Sequence, residues 1–165
     1  MLSRTNLFIR RTVARASFLS TEASQTKMTL NFSLPHETIY AGAEVSQVII
    51  PGEAGEYGVT VNHVPIISQL QPGVLQIIHE DGGGETEKYF VAGGYALTHE
   101  NSVTDVTCPE AVKLDDIDPD AVSKNYDTAK TAHASAELGS LAQAEAQIEM
   151  ETNKAMGAAI GLTLA

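Results

Sequence analysis

Between residues 28 and 110, strand signals are broken by turn residues every eight to twelve positions, and no helix-length apolar pattern interrupts them. That spacing excludes a parallel sheet wound with helices and predicts an antiparallel sandwich or barrel. The first strand is the clearest. Met28, Leu30, Phe32 and Leu34 alternate with Thr29, Asn31 and Ser33, the period-2 pattern of a half-buried strand. Pro35 ends it, because proline offers no N–H to a ladder. Further extended stretches are expected at 38–40, 44–50, 59–61, 64–70, 74–79, 86–92, 95–99 and 102–108. In 86–92, Tyr89 and Val91 fall on one face and Phe90 on the other.

The punctuation between these stretches is rich in glycine and proline. The segment Gly52 to Gly58, with Gly55 at its centre, is expected to be a turn-rich loop. Pro65 and the dipeptide Pro72-Gly73 mark further turns, and Asp81-Gly82-Gly83-Gly84 is a hairpin signal. Gly93-Gly94 predicts a bulge or a tight corner.

The texture then changes. Asp118 before Pro119 is an N-cap followed by proline at the first helical position. Val122, Tyr126, Ala129, His133 and Ala136 recur at helical spacing, and Gly139 is expected to end this helix. Ser140 with Gln143 forms a capping-box pair that opens a second helix, whose inner face is predicted at Leu141, Ala144, Ile148 and Ala155. A short loop between alanine-rich helices makes them antiparallel neighbours. The expected fold is therefore α+β: an N-terminal antiparallel β-sandwich at 28–112, then a C-terminal antiparallel two-helix hairpin at 117–160.

Charge sets the first 24 residues apart. All four arginines lie there, at Arg4, Arg10, Arg11 and Arg15, among serines, threonines and apolar residues and with Glu22 as the sole acid. An Arg-rich, Ser-rich, acid-poor N-terminus is expected to be an organelle transit peptide, residues 1–24. Beyond residue 22 remain six lysines against twenty acids. So acidic a body has no electrostatic grip on nucleic acid or on anionic lipid. No apolar run approaches the roughly 20 residues of a spanning helix. The lone Cys108 has no internal partner for a disulfide and fits a small buried hydrophobe.

The residues mark no catalytic constellation. The loop 52–58 lacks the Lys-Ser/Thr pair of a phosphate cradle and carries Glu53 and Glu56, which repel phosphate. His36, His79 and His99 each precede a glutamate, but adjacent strand residues point to opposite faces and do not converge on one metal. His63, between apolar runs, is either bonded to its own loop or a contact residue at a partner surface. Two function classes stay open on the residues alone: a free matrix sandwich binding a small ligand and, more remotely, a metal-dependent β-barrel enzyme.

The order of four fragments narrows this. Leu30-Asn31-Phe32-Ser33-Leu34-Pro35 with Tyr40-Ala41-Gly42, then Pro51 to Gly58 with Asn62-His63-Val64-Pro65, then Leu70-Gln71-Pro72-Gly73-Val74, then Lys88 to Gly94, together resemble the ATP synthase delta/epsilon family. The resemblance spans about residues 28–160 and is closest through residue 114. It implies a flattened ten-stranded sandwich followed by a helical hairpin, acting as a non-catalytic part of the rotating central stalk at the mitochondrial inner membrane, matrix side. It implies three partners: the gamma subunit, the ring of c-subunits, and the small mitochondrial epsilon subunit. Membrane association would come only through the complex, and the transit peptide at 1–24 would be mitochondrial. The c-ring side would carry Glu56, Tyr57 and His63, and an exposed pair at Glu56 would contribute only ~0–1 kcal/mol. Some bacterial relatives bind ATP through an arginine-containing hairpin motif. Here the segment is Ala134 to Ser140 and no arginine follows Arg15, so planar bidentate phosphate recognition is lost and no cofactor is expected.

Overall fold

The computed structural model describes residues 26–80 and 86–164. The N-terminal segment 1–24 and the turn at 81–84, both singled out in the sequence, lie outside the described residues. Ten strands come first: β1 (Met28–Ser33), β2 (Thr38–Val45), β3 (Gln47–Gly52), β4 (Gly55–Thr60), β5 (Ile66–Leu70), β6 (Gly73–Ile78), β7 (Thr86–Val91), β8 (Gly94–Thr98), β9 (Val103–Thr107) and β10 (Ala111–Lys113). A single 3-10 turn at Leu114–Asp116 leads to helices α1 (Pro119–Ser135) and α2 (Leu141–Ala159).

The strands form one continuous hydrogen-bonded sheet in the order β10-β7-β6-β3-β5-β8-β9-β1-β2, with β4 added on β3. Between β3 and β5 the ladder is a single register pair, Gly52 with Leu70. The sheet therefore folds over at that point into two five-stranded layers, β10-β7-β6-β3-β4 and β5-β8-β9-β1-β2. The alternation in β1 places Met28, Leu30 and Phe32 between the layers, each at most 1% exposed. Val45, Val48, Ile50, Val59, Leu75, Ile77, Val91 and Val106 join them, and Phe32 meets Tyr89 edge to face at 5.6 Å. Each large apolar side chain so buried contributes about 1.5–3 kcal/mol.

Several local expectations are corrected. The glycine-rich segment is no extended loop: Gly52 pairs with Gly55 across a two-residue turn, and β4 runs straight through Glu56, Tyr57 and Gly58. Glycine weakens strand propensity, which hid the strand. A Cβ on Gly58 would meet only the Gln47 side chain, whose flexible end can turn aside. The sheet is not wholly antiparallel, since β1 runs parallel to β9. The short β10 carries no sequence pattern of its own and forms on β7.

Helix α1 starts as its sequence predicts, with the Asp118 carboxylate accepting from the Asp120 N–H at 2.9 Å. Its inner face is Val122, Tyr126 and Ala129. The helix ends at Ser135, four residues before Gly139, which instead takes a left-handed φ of 76° in the connecting loop. At the start of α2, Ser140 Oγ accepts from the Gln143 N–H, while Gln143 Oε1 accepts from the Gly139 N–H, one residue earlier than in a standard capping box.

The predicted inner face of α2 is rotated. Leu141 and Ile148 are 75% and 64% exposed, whereas Ala146 and Gly157 are buried. Gly157 is covered by the C-terminal tail, where a Cβ would stand 2.8 Å from Cδ1 of Leu164, and the small Ala146 rather than a larger side chain is buried in the first half of α2. The C-terminal end of α2 closes with paired bonds, Leu162 N–H to Gly157 O and Gly161 N–H to Ala158 O, with Gly161 at φ 82°. This turns the tail back over Gly157. The same end of α2 approaches the outer face of β6. On β7, Phe90 is 2% exposed although it points away from the sandwich interior.

Candidate functional site

The residues expected at a partner surface lie on or beside β4, an edge strand paired only to β3. An edge is a natural contact surface because one side of its backbone is unpaired. Alternation splits the two neighbours on it. Glu56 is exposed on the outer face, where it borders a cleft of about 460 Å³ with Val74, Lys88, Ala155 and Ala158. Tyr57 points the other way, packs against the core, and hydrogen-bonds Ser68 of β5 through its hydroxyl. Its ring thus ties the two layers together where β4 faces β5. A Cβ on Gly52 would come within 3.0 Å of that ring, so Gly52 makes room for it.

His63 sits beyond the far end of β4. Four residues separate Glu56 from Thr60, about 13 Å along a strand. The turn is closed by the His63 N–H to Thr60 O bond at 3.2 Å, with Asn62 in the left-handed region at φ 58°. The imidazole Nδ1 lies 2.8 Å from its neighbour's carbonyl, Val64 O. Of the two readings of His63, the bond to its own loop is therefore present, and the ring stays partly exposed. Around it Val64 and Ile67 are 69% and 76% exposed, an apolar surface beside the edge. Glu56, Tyr57 and His63 thus line one edge without converging on one point.

Of the predicted turn residues, Gly58 lies within β4, while others fall at strand ends. Pro65 leads into β5, and Pro72 and Gly73 lead into β6. A Cβ on Gly73 would be 2.8 Å from Cβ of Pro51. Gly93 and Gly94 both have positive φ, 134° and 136°. At Gly94 a Cβ would lie 2.2 Å from the Thr107 carbonyl oxygen, so β8 can approach β9 only through glycine.

Two polar groups escaped the sequence reading because their members are far apart in the chain. Glu87 on β7 accepts from Tyr40 Oη at 2.5 Å and Tyr89 Oη at 2.9 Å. It also meets His79 Nε2 at 3.1 Å and Lys113 Nζ at 3.3 Å. The hydrogen bond from the Tyr40 hydroxyl, followed by those from the Tyr89 hydroxyl, the Lys113 ammonium and the His79 ring, holds the Glu87 carboxyl down to about 2 despite partial burial. Burial and the adjacent carboxylate push the Tyr40 phenol upward. On the opposite layer, Asp105 bridges Asn31 Nδ2 at 2.6 Å and His99 Nε2 at 2.8 Å. Burial opposes ionisation of Asp105, but these two bonds outweigh it and lower its pKa. Neither His79 nor His99 pairs with the glutamate beside it in sequence. Cys108, 1% exposed, has its thiol pushed up to about 12 by burial. Among the described residues, no three His, Cys, Asp or Glu side chains gather as metal ligands, and no helix is long and apolar enough to cross a membrane.

Comparison with known proteins agrees with this architecture. Residues 27–113 match the family described as the beta-sandwich domain of the ATP synthase Delta/Epsilon chain. The mitochondrial ATP synthase subunit delta of Yarrowia lipolytica is 41% identical over 145 residues, covering 87% of this chain and 86% of the relative. The subunit of the same name from Saccharomyces cerevisiae is 36% identical, covering 86% of each. A solved chain in the Euglena gracilis mitochondrial ATP synthase (OSCP/F1/c-ring) superposes with a TM-score of 0.75 at 27% identity, covering 82% of both chains. A chain of the Tetrahymena thermophila central stalk and c-ring shares the fold, with a TM-score of 0.63 at 15% identity. A ten-stranded sandwich with a helical hairpin behind it, matched along most of its length by mitochondrial delta subunits, belongs to the ATP synthase delta/epsilon family.

Proposed function

We propose that this chain is a non-catalytic central-stalk subunit of a mitochondrial F-type ATP synthase, linking the c-ring to the gamma subunit and passing ring rotation to it. The carrying observation is the match to mitochondrial delta subunits over 87% of the chain, on a fold suited to transmitting force. Two strand layers packed on a continuous apolar core have low compressibility, so a torque applied at one edge reaches the other with little deformation. The c-ring side is assigned to the β4 edge. Glu56 and His63 present polar groups there, Val64 and Ile67 supply exposed apolar area, and Tyr57 braces the edge from within. The small mitochondrial epsilon subunit is the third partner. Residues 1–24 act as the transit peptide, and the mature chain sits on the matrix side of the inner membrane, held there through the complex. The hairpin has no arginine, so nucleotide binding is not part of this function.

The test is capture of the tagged chain from mitochondrial extract, with subunit identification. Recovery of gamma and c-subunits is expected; recovery of neither refutes the assignment. For the edge itself, Glu56→Cys and His63→Cys variants are carried into the assembled complex and oxidised alongside cysteines placed in the c-ring loops. Crosslinks to c are expected from both positions. The native Cys108 stays silent because it is buried. Crosslinks to gamma alone would reassign the edge.

A further inference from the structure

A two-layer sandwich made from one folded-over sheet has two open seams. At the first, where β4 faces β5, the chain itself crosses between layers at Gly52 and the Tyr57 hydroxyl meets Ser68. The second seam brings together the two free ends of the strand order, β2 from one layer and β7-β10 from the other. Glu87 lies at this seam. Its Oε1 takes Tyr40 Oη from β2 and His79 Nε2 from the end of β6. Its Oε2 takes Tyr89 Oη from its own strand and Lys113 Nζ from the last residue of β10. A carboxylate has about four lone-pair sites, so all of them are occupied and no donor is redundant. The Tyr40 ring also lies tilted against His79, 6.0 Å between centroids, and Lys113 Nζ lies 5.6 Å over the Tyr89 ring. Lys113 is the last sheet residue before the 3-10 turn Leu114–Asp116 that starts the path to α1. β10 itself has only three residues in register with β7.

The geometry points to Glu87 as a clasp: it holds the second seam shut and, through Lys113, fixes the point at which the chain leaves the sandwich for the helical hairpin. Tyr40 carries the closing of the seam and Lys113 carries the anchoring of the exit. One carboxylate thus serves both sandwich closure and hairpin stance through separate donors, an arrangement that neither fold nor family assignment supplies. Side-chain bonds dominate here because β2 and β10 are edge strands, each laddered to one neighbour only. Edge strands with few ladder bonds open locally before the core does.

Hydrogen exchange on the full chain tests this, comparing Glu87→Gln with Lys88→Gln, a charge change on the next residue, which makes none of these bonds. Glu87→Gln is expected to speed exchange about tenfold in Thr38–Val45 and in Ala111–Asp116 while β3 and β5 keep wild-type protection. Tyr40→Phe, which removes one hydroxyl and no charge, should loosen Thr38–Val45 alone. Lys113→Met should loosen Ala111–Asp116 alone. Unchanged exchange in both segments, or a uniform increase across all strands, would overturn the clasp. So would identical patterns from Tyr40→Phe and Lys113→Met. If Glu87→Gln fails to fold, the two single-donor variants decide the matter by the same criterion.

Discussion

Replacing Gly94 by alanine isolates the closest backbone approach in the sandwich. The added Cβ would stand 2.2 Å from the Thr107 carbonyl oxygen, 3.0 Å from Cys108 Cα and 3.1 Å from Cys108 Sγ. Two of those three atoms are backbone, so no side-chain rotation relieves the clash. Ordinary contact requires β8 and β9 to part by about 1 Å at the Tyr95–Thr107 pair, which disrupts the hydrogen bonds at that end of the ladder. A buried donor or acceptor left unpaired costs about 1–3 kcal/mol. Forcing a residue with a Cβ to φ 136° adds about 1–3 kcal/mol of backbone strain. The sum, about 4 kcal/mol, is a large part of the 5–15 kcal/mol typical of a domain. It should lower Tm by roughly 8–16 °C for a chain of this size. Thermal unfolding followed by far-UV circular dichroism measures it, with Gly42→Ala as the control. Gly42 also has positive φ, 71°, but nothing lies within 4 Å of its would-be Cβ. The control should therefore lose only about 1 kcal/mol, the left-handed backbone penalty alone. Equal losses from the two variants would show that conformation, not strand approach, explains the glycine, and the steric reasoning would be wrong.

Two further outcomes are expected. The Glu87 carboxyl is held near 2 against an ordinary 4.5, so its contribution to stability is complete above about pH 4.5 and is lost as pH falls toward 2. With the side chain 26% exposed, this amounts to about 2–3 kcal/mol. Denaturant midpoints from pH 6 to 2 should therefore fall more steeply for wild type than for Glu87→Gln, and parallel curves would contradict the bonding described. On α2, Ile148→Ser should change stability by no more than about 0.5 kcal/mol, since the side chain is exposed. Ala146→Leu should cost about 1–3 kcal/mol by overfilling the interface with α1. The reverse order in urea unfolding would restore the helix face predicted from apolar spacing.

What was legible in the chain is what depends on neighbours in sequence. The period of two in Met28, Leu30 and Phe32 names three of the most buried residues. Asp118-Pro119 places the start of α1 to the residue, because a cap is made within one turn. The family fragments pointed to the right architecture. Less legible was anything decided across space. β4 was hidden because Gly55 and Gly58, residues of weak strand propensity, nonetheless remain in the strand. The face of α2 was misplaced because apolar spacing rewards large residues, whereas the buried ones are the small Ala146 and Gly157. Glu56 and Tyr57 read only as neighbours in a loop, and the alternation of β4 that sends one to the outer cleft and the other to the core was not visible. The Glu87 cluster joins residues up to 73 positions apart, from Tyr40 to Lys113, and no local pattern announces it.

The one parallel pairing in the sheet has a consequence for how the molecule is made. β1 is laddered on one side to β2, close by in the chain, and on the other to β9, whose Asp105 is 74 residues away from Asn31. Until roughly the first hundred residues have been delivered, the earliest strand is laddered on one side only. Closing so long a loop is slow compared with forming a hairpin. Completion of this layer must therefore wait for its ninth strand, and a chain stopped short of residue 103 would leave β1 as an open edge.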